Sequence, residues 1–349
     1  MMKEKINIAV IGGAGTFGRQ HVIAVKKLDC ANLVAVCDDI EKIKKDELLD
    51  GTDAYSDYRE LLKRDDIDAV TVAVPDQIHG EIVIDCLKAG LNVLCEKPMA
   101  LKSEHCAKMI DAWRKSGKKL MIGQTCRYAP AFAEAKKIVE NGAIGEIFFV
   151  ESEYAHDYSK LTHAPWRFDK ENPRHTVIGG GCHAVDLLRW IAGNPTQVFA
   201  YSNKKVLKDW PTDDCTIAVL KFPNDVCGKV FVSSGCKRRY TMRTLIYGDK
   251  GTVIVDNKSD TFSLFKSVKE GKEEYHGVES MVVEEKIPVQ INDHNVIAEI
   301  RDFCEAIIND TEIATDGYEG AATVAVCEAI VRSADTGMPE KVEYIKQPI

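Results

Sequence analysis

Up to about residue 124, apolar and polar positions keep one rhythm. Short apolar runs, "INIAVI", "NLVAVCD", "DAVTVAV", "NVLCE" and "KLMIG", alternate with segments such as "GRQHVIAVKKL" and "SEHCAKMIDAWRKSG", whose pattern is helical. Strands separated by helices predict βαβ units and a doubly wound parallel sheet. A helix is predicted at about 130–141, and beyond it the pattern changes. "EIFFVESEYAH", "QVFAYSN", "DDCTIAVLKF", "GKVFVSSG", "RTLIYG" and "GTVIVDN" are longer and alternate in character, as in an antiparallel sheet with one face solvated or covered by a partner. One helix interrupts them, "HAVDLLRWIAG", and two close the chain, "HNVIAEIRDFCEAIIND" and "YEGAATVAVCEAIVRSAD". The expected fold is α/β, with a doubly wound parallel domain over 1–124 and an α+β domain with a mainly antiparallel sheet over 125–349. The segment 157–181, rich in His, Pro and Gly, is the longest irregular stretch and a candidate active-site loop.

One apolar run ends unusually. In "VLCEKPM", residues 93–99, a strand that should be buried on both faces closes on Glu96 and Lys97 joined to Pro98. The proline removes a donor and keeps Lys97 extended, at the carboxyl edge where open α/β sheets bind ligands. Two charges there need compensation.

Composition narrows the partners. A net charge of -8, with only the short "CKRRY" as a basic cluster, argues against nucleic acid and for a small molecule. Twelve cysteines without a CxxC pair, several inside apolar runs (Cys37, Cys86, Cys95, Cys327), predict free thiols in a reducing, cytoplasmic setting. The apolar part of "MMKEKINIAVIGGAG" is only about six residues, too short for a signal peptide, and no run reaches the length of a membrane span.

After the first strand, "GGAGTFG" sets Gly13, Gly15 and Gly18 in GxGxxG spacing with Thr16 and Phe17 between them, and a helix is expected to begin at about Gly18. Asp38 ends the second strand 20 residues after Gly18, where a carboxylate can accept from a ribose 2′-hydroxyl. Asp39 follows, so a 2′-phosphate would meet two negative charges, and NAD is expected rather than NADP. Pro75, just after the third main strand, and His79, at a helix start, are further cofactor contacts by position, although His79 equally suits packing of a first helical turn.

From Gly13 through "VPDQIHGEIVIDCLKAGLNVLCEKPMA", and again in "GGGCHAVDLLRWIAG" and "EAIVRSADTG", the chain resembles the glucose-fructose oxidoreductase and inositol dehydrogenase family (Gfo/Idh/MocA). The resemblance implies a nicotinamide cofactor between a Rossmann domain and a C-terminal sheet domain that often mediates oligomers, here a homodimer or homotetramer. It also implies sugars, cyclitols or their derivatives as substrates. Lys97 matches the family lysine that points to the nicotinamide, where its ammonium would hydrogen-bond the reacting hydroxyl and favour a developing alkoxide; Glu96 would balance its charge. His183 matches the family histidine that carries the proton.

One position departs from the pattern. Four residues before that histidine the family carries an aspartate and this chain has Gly179. Asp157, in "YAHDY" with Tyr154, is the nearest carboxylate to stand in its place, and Asp186, one helical step past His183, suits orienting the imidazole or equally a contact with the other domain. Arg127 and Tyr128 follow the fifth strand, Trp166 suits stacking on a ring face, and Arg167 suits a hydroxyl or carboxylate. The spacing of His156, Asp157, His163 and His175 matches no familiar metal site, and none is expected; "NDHN" at 292–295 suits a helix N-cap, with His294 a lesser substrate contact. The expected activity is NAD-dependent oxidoreduction of a sugar, cyclitol or sugar acid. NAD-retaining hydrolysis, elimination or epimerisation is the alternative that Gly179 keeps open, and an NAD-responsive regulator is a third.

Overall fold

The computed structural model describes residues 4–161, 164–267, 273–275, 278–280 and 282–347. They form two compact units. The first takes the chain up to Thr125, then Asn295–Ala325 and the end from Tyr344; the second takes Cys126–His294 and Val326–Glu343.

The first unit is built on a parallel sheet of β1 (Ile6–Ile11), β2 (Ala31–Cys37), β3 (Asp53–Tyr55), β4 (Ala69–Val72), β5 (Asn92–Glu96) and β6 (Leu120–Gly123), in the order β3-β2-β1-β4-β5-β6. The order reverses between β1 and β4, which makes the carboxyl edge there the binding crevice of such sheets. Period-two alternation divides the core. Ala9, Ile11, Val70, Val72, Val93 and Cys95 pack on one face, and Val10 and Val36 pack on the other with Val22 and Ile43. The crossovers are α1 (Thr16–Lys27), α2 (Ile40–Ile43), α3 (Tyr58–Leu61), α4 (His79–Lys88) and α5 (Ser103–Ser116), the last ended by Gly117 in the left-handed region at φ 64°. Burial of Ile82, Val83, Cys86 and Leu87 on α4 follows the helical stripe in the sequence.

In the second unit, α6 (Pro130–Glu140), with proline in its first turn, leads into β7 (Ile147–Ala155). Then come α7 (Thr176–Gly179), α8 (Cys182–Ala192), β8 (Gln197–Asn203), β9 (Cys215–Lys221), β10 (Cys227–Ser233), β11 (Thr241–Gly248), β12 (Gly251–Asp256) and β13 (Thr261–Ser267). The short pair β14 (Glu273–Tyr275) and β15 (Val278–Ser280) stands apart from β16 (Val282–Pro288). With β7 at its centre and the short β17 (Glu340–Lys341) at one edge, the main sheet runs β16-β13-β12-β11-β7-β10-β9-β8-β17. Only the β7–β10 ladder is parallel among these neighbours. Helix α8 lies over β7, β10 and β11, and α6 packs on β12. Part of the opposite face is apolar, where Phe199 pairs with Val219 and Tyr201 with Ile217, which pairs in turn with Phe231; next to it on the same face Lys229 pairs with Glu151. Tyr201 is 64% exposed, Val219 53% and Ile217 43%, more than a solvated polar face would show.

The return of residues 295–325 to the first unit is a feature the sequence reading does not contain, since it assigns everything after 124 to the second domain. Its physical basis is a helix, α9 (Val296–Ile308), that buries Val296, Ile300, Phe303 and Cys304 and packs on α1. Asn295 caps α9 by accepting from the Ala298 N–H, as "NDHN" predicts. The following α10 (Gly317–Thr336) contributes residues to both units.

Candidate active site

Crowding explains the glycines of the first turn. A Cβ on Gly18 would stand 2.0 Å from the Gly12 carbonyl oxygen, and one on Gly13 would stand 2.5 Å from Val36 Cγ1. Gly12 itself, which the GxGxxG spacing leaves out, takes φ +89°. Helix α1 starts at Thr16, two residues before the predicted start, with Gly15 at its N-cap and no side chain capping it. Bare backbone and an uncapped helix N-terminus are what a pyrophosphate needs. Asp38 directly follows β2 and accepts from the Ala14 N–H at 3.0 Å, which ties it to the glycine turn, while Asp39 is spent capping α2. These residues fit a dinucleotide. Pro75 opens the short turn Asp76–Ile78, and His79, fully buried, has its ring nitrogens 3.0 Å from the carbonyl oxygens of Pro98 and Val74. The structure thus gives His79 a fastening role beside Pro98.

The charges of "EKP" have their compensation. Glu96 Oε1 lies 3.0 Å from His21 Nε2, and Oε2 accepts the Lys97 backbone N–H at 3.1 Å. Burial pushes the Glu96 carboxyl up, but the His21 hydrogen bond and the charges of His21 and Lys97 hold it below the usual carboxylate range. The Lys97–Pro98 bond is cis, and Lys97 is half-buried with Nζ 5.4 Å from the centroid of the Phe17 ring, in the glycine turn. A third carboxyl joins from α9. Glu299 is fully buried, neither of its oxygens has a hydrogen-bond partner, and one ligand atom of each of His21, Glu96 and Glu299 lies within 4.8 Å of the others. Burial, with the Glu96 charge beside it, raises the Glu299 carboxyl well above its ordinary value. The sequence held a signal for it. Glu299 stands inside the apolar stripe Val296, Ile300, Phe303, where a charged residue is out of place.

In the second unit His183 lies in the first turn of α8, with Nδ1 3.3 Å from Cys126 Sγ and its ring stacked on Tyr154 at 6.4 Å. His294 stands edge-on to it at 5.5 Å, and Tyr240 stacks on His294. Tyr154 Oη lies 2.8 Å from Tyr158 Oη and 3.2 Å from His156 Nδ1. Beyond Tyr158, Arg167 lies over its ring, and the Trp166 ring takes Arg167 at 4.6 Å and Arg174 at 5.3 Å. Tyr154, His183, Trp166 and Arg167 are thereby brought into one polar aromatic cluster. Cys126, Tyr158, Tyr240 and Arg174 join it without a signal in local spacing.

Other candidates are committed elsewhere. Arg127 gives its fork to Asp186, with Nε 2.8 Å from Oδ2 and Nη2 2.7 Å from Oδ1, so neither of this buried pair is aimed as the sequence suggested. Tyr128 closes the turn Thr125–Tyr128. Asp157 accepts from the Ser159 N–H and pairs with Lys237, and these hydrogen bonds, Ser159 first, bring its carboxyl down to about 2. His175 is the N-cap of α7, its ring pushed down by burial; burial and then the Arg167 charge do the same to His156. His163 lies outside the described residues. At Gly179 a Cβ would come within 1.9 Å of the Arg174 guanidinium, which donates to the Gly179 carbonyl at 2.9 Å. A cation thus fills the space that a side chain at 179 would enter.

Comparison with known proteins fits this geometry. Residues 6–124 match the profile described as an oxidoreductase family with an NAD-binding Rossmann fold, and residues 132–254 match the GFO/IDH/MocA C-terminal domain. The chain is 26% identical to inositol 2-dehydrogenase 2 of Saccharopolyspora erythraea, over 98% of this chain and 97% of that one. It is 29% identical to myo-inositol 2-dehydrogenase of Thermotoga maritima, over 73% and 77%. In fold it is similar to a levoglucosan dehydrogenase solved in complex with NADH, with a TM-score of 0.86 and 23% identity over 98% of this chain and 100% of that one.

Proposed function

Since this chain belongs to the Gfo/Idh/MocA family and is an NAD-dependent oxidoreductase, we propose that its substrate is a sugar, cyclitol or sugar acid, oxidised or reduced at a carbon bearing one oxygen. NAD, when bound, supplies the hydride acceptor or donor. Gly13, Gly15, Thr16, Phe17, Gly18 and Asp38 hold it, the backbone of the glycine turn at the pyrophosphate and the Asp38 carboxylate at the ribose. Lys97 stabilises negative charge on the reacting oxygen, and His183 takes or returns the hydroxyl proton. Trp166 and Arg167 contribute stacking and hydrogen bonds to the sugar. The apolar part of the outer face of the second unit's sheet supports a homodimer or homotetramer, and the free thiols suit a reducing, cytoplasmic setting. Among the described residues, no helix is long and apolar enough to cross a membrane.

The observation that carries this reading is the Lys97 ammonium beside Phe17 of the glycine turn, at the carboxyl edge of the sheet. A panel of polyols, aldoses and sugar acids with NAD tests it through NADH absorbance. Turnover without accumulating NADH would point instead to retained-cofactor elimination, hydrolysis or epimerisation. Lys97→Met should keep NAD affinity by calorimetry and lower kcat by about 10²–10⁴. Near-normal turnover in that variant would remove Lys97 from the chemistry.

A further inference from the structure

Three side chains far apart in sequence, Cys126, His183 and His294, meet within the second unit. One ligand atom of each lies within 4.8 Å of the others, and Cys126 and His183 are buried while His294 is partly open. A thiol with two imidazoles is the donor chemistry of zinc and its neighbours, and three protein ligands with one open position is the pattern of zinc sites that take water or substrate. The spacing agrees. Sulfur at about 2.3 Å and nitrogen at about 2.0 Å from a tetrahedral zinc stand roughly 3.3–3.6 Å apart, and Cys126 Sγ lies 3.3 Å from His183 Nδ1. Outer contacts already orient the rings. Tyr154 stacks on His183 at 26° between planes, and Tyr240 stacks on His294 at 14° with its hydroxyl 3.4 Å from Nε2.

We propose that Cys126, His183 and His294 form a binding site for a zinc-type divalent cation, its fourth position left to a water or substrate oxygen, and that filling the site takes His183 out of proton transfer. Binding releases the Cys126 thiol proton to solvent, since the ligand is the thiolate. An imidazole coordinated through Nδ1 carries its remaining hydrogen on Nε2 and has no lone pair left to accept a proton. The cation therefore acts as an inhibitor. This second half rests on the proton role proposed for His183; the binding half does not.

The test uses the full chain after dialysis against a chelator. Zinc is titrated by calorimetry, and cobalt(II) by absorbance in the near ultraviolet, where a thiolate ligand gives an intense charge-transfer band. One equivalent should bind per chain with that band present. Cys126→Ser should lose the band and, like His294→Asn, weaken zinc binding by at least the roughly 10–100-fold that an outer-shell change costs. Circular dichroism of both variants confirms that they fold, and either one suffices if the other does not. Absence of stoichiometric binding, or affinity unchanged in a folded variant, overturns the site. In turnover assays, one equivalent of zinc should abolish activity reversibly in the wild type, and the residual activity of Cys126→Ser should be insensitive to it. Full activity with zinc bound overturns the inhibitory role. If no substrate is found for the enzyme, the binding titrations still decide the site, and that failure falls on the proposed function.

Discussion

Glu299 shows how one residue can tie stability to pH. Its carboxyl is raised by burial and by the Glu96 charge, so the folded chain keeps a proton that the unfolded chain, with an ordinary glutamate near about 4.3, gives up. Between those two values the folded state binds more protons than the unfolded one, and stability falls as pH rises. Glu299→Gln has no such proton to hold. The variant should gain in melting temperature relative to wild type as pH rises above the unfolded value of about 4.3. Parallel melting curves for the two proteins across that range would show that Glu299 is not protonated in the fold. At this scale much of the site is legible. Gly13, Gly18 and Asp38 act on neighbours reached through a single turn or an adjacent strand, and the proline after Lys97 marks a strand end by covalent geometry alone.

Among the elements, the joint between the turn Thr125–Tyr128 and α8 rests on the bidentate pair of Arg127 and Asp186, both under 10% exposed, with Arg189 3.6 Å from the same carboxylate. Removing Asp186 takes the shared carboxylate from two buried guanidiniums, Arg127 and Arg189. Asp186→Ala should cost about 3–5 kcal/mol in urea unfolding, and Arg127→Met less, because Arg189 still faces the Asp186 carboxylate. A loss below about 1 kcal/mol for Asp186→Ala would mean that water or another group takes over the guanidiniums. The sequence presents Arg127 as a free substrate ligand because its partner lies 59 positions away. The same limit hid Cys126 beside His183, 57 positions apart, and the return of α9 to α1. Periodicity gives the face of each element, and it carries no information on which distant face will meet it.

At the scale of the molecule, the expected alternation of β8 and β9 is present: Ala200, Ala218 and Leu220 are buried, while Tyr201, Ile217 and Val219 point outward. Only a second copy of the chain is invoked to cover that outer face. Ile217→Glu puts a charge among Tyr201 and Phe231 without touching the buried side. It should convert an oligomer into a monomer in sedimentation velocity, with little change in the fold by circular dichroism. A wild-type protein that sediments as a monomer at every concentration would leave the apolar face needing another explanation.

The split make-up of the first unit has a consequence for synthesis. All six of its strands have been made once residue 123 is complete, yet α9, which packs on α1, begins at Val296. A chain emerging from the ribosome therefore produces the whole run from β7 to β16 before the nucleotide-binding unit receives its last helices. The unit that is made first is finished last. A chain stopped at residue 294 should leave α1 open to limited proteolysis, with weakened NAD binding, where the full chain resists. Full protection of α1 thus waits for α9, although every strand of its sheet was made long before.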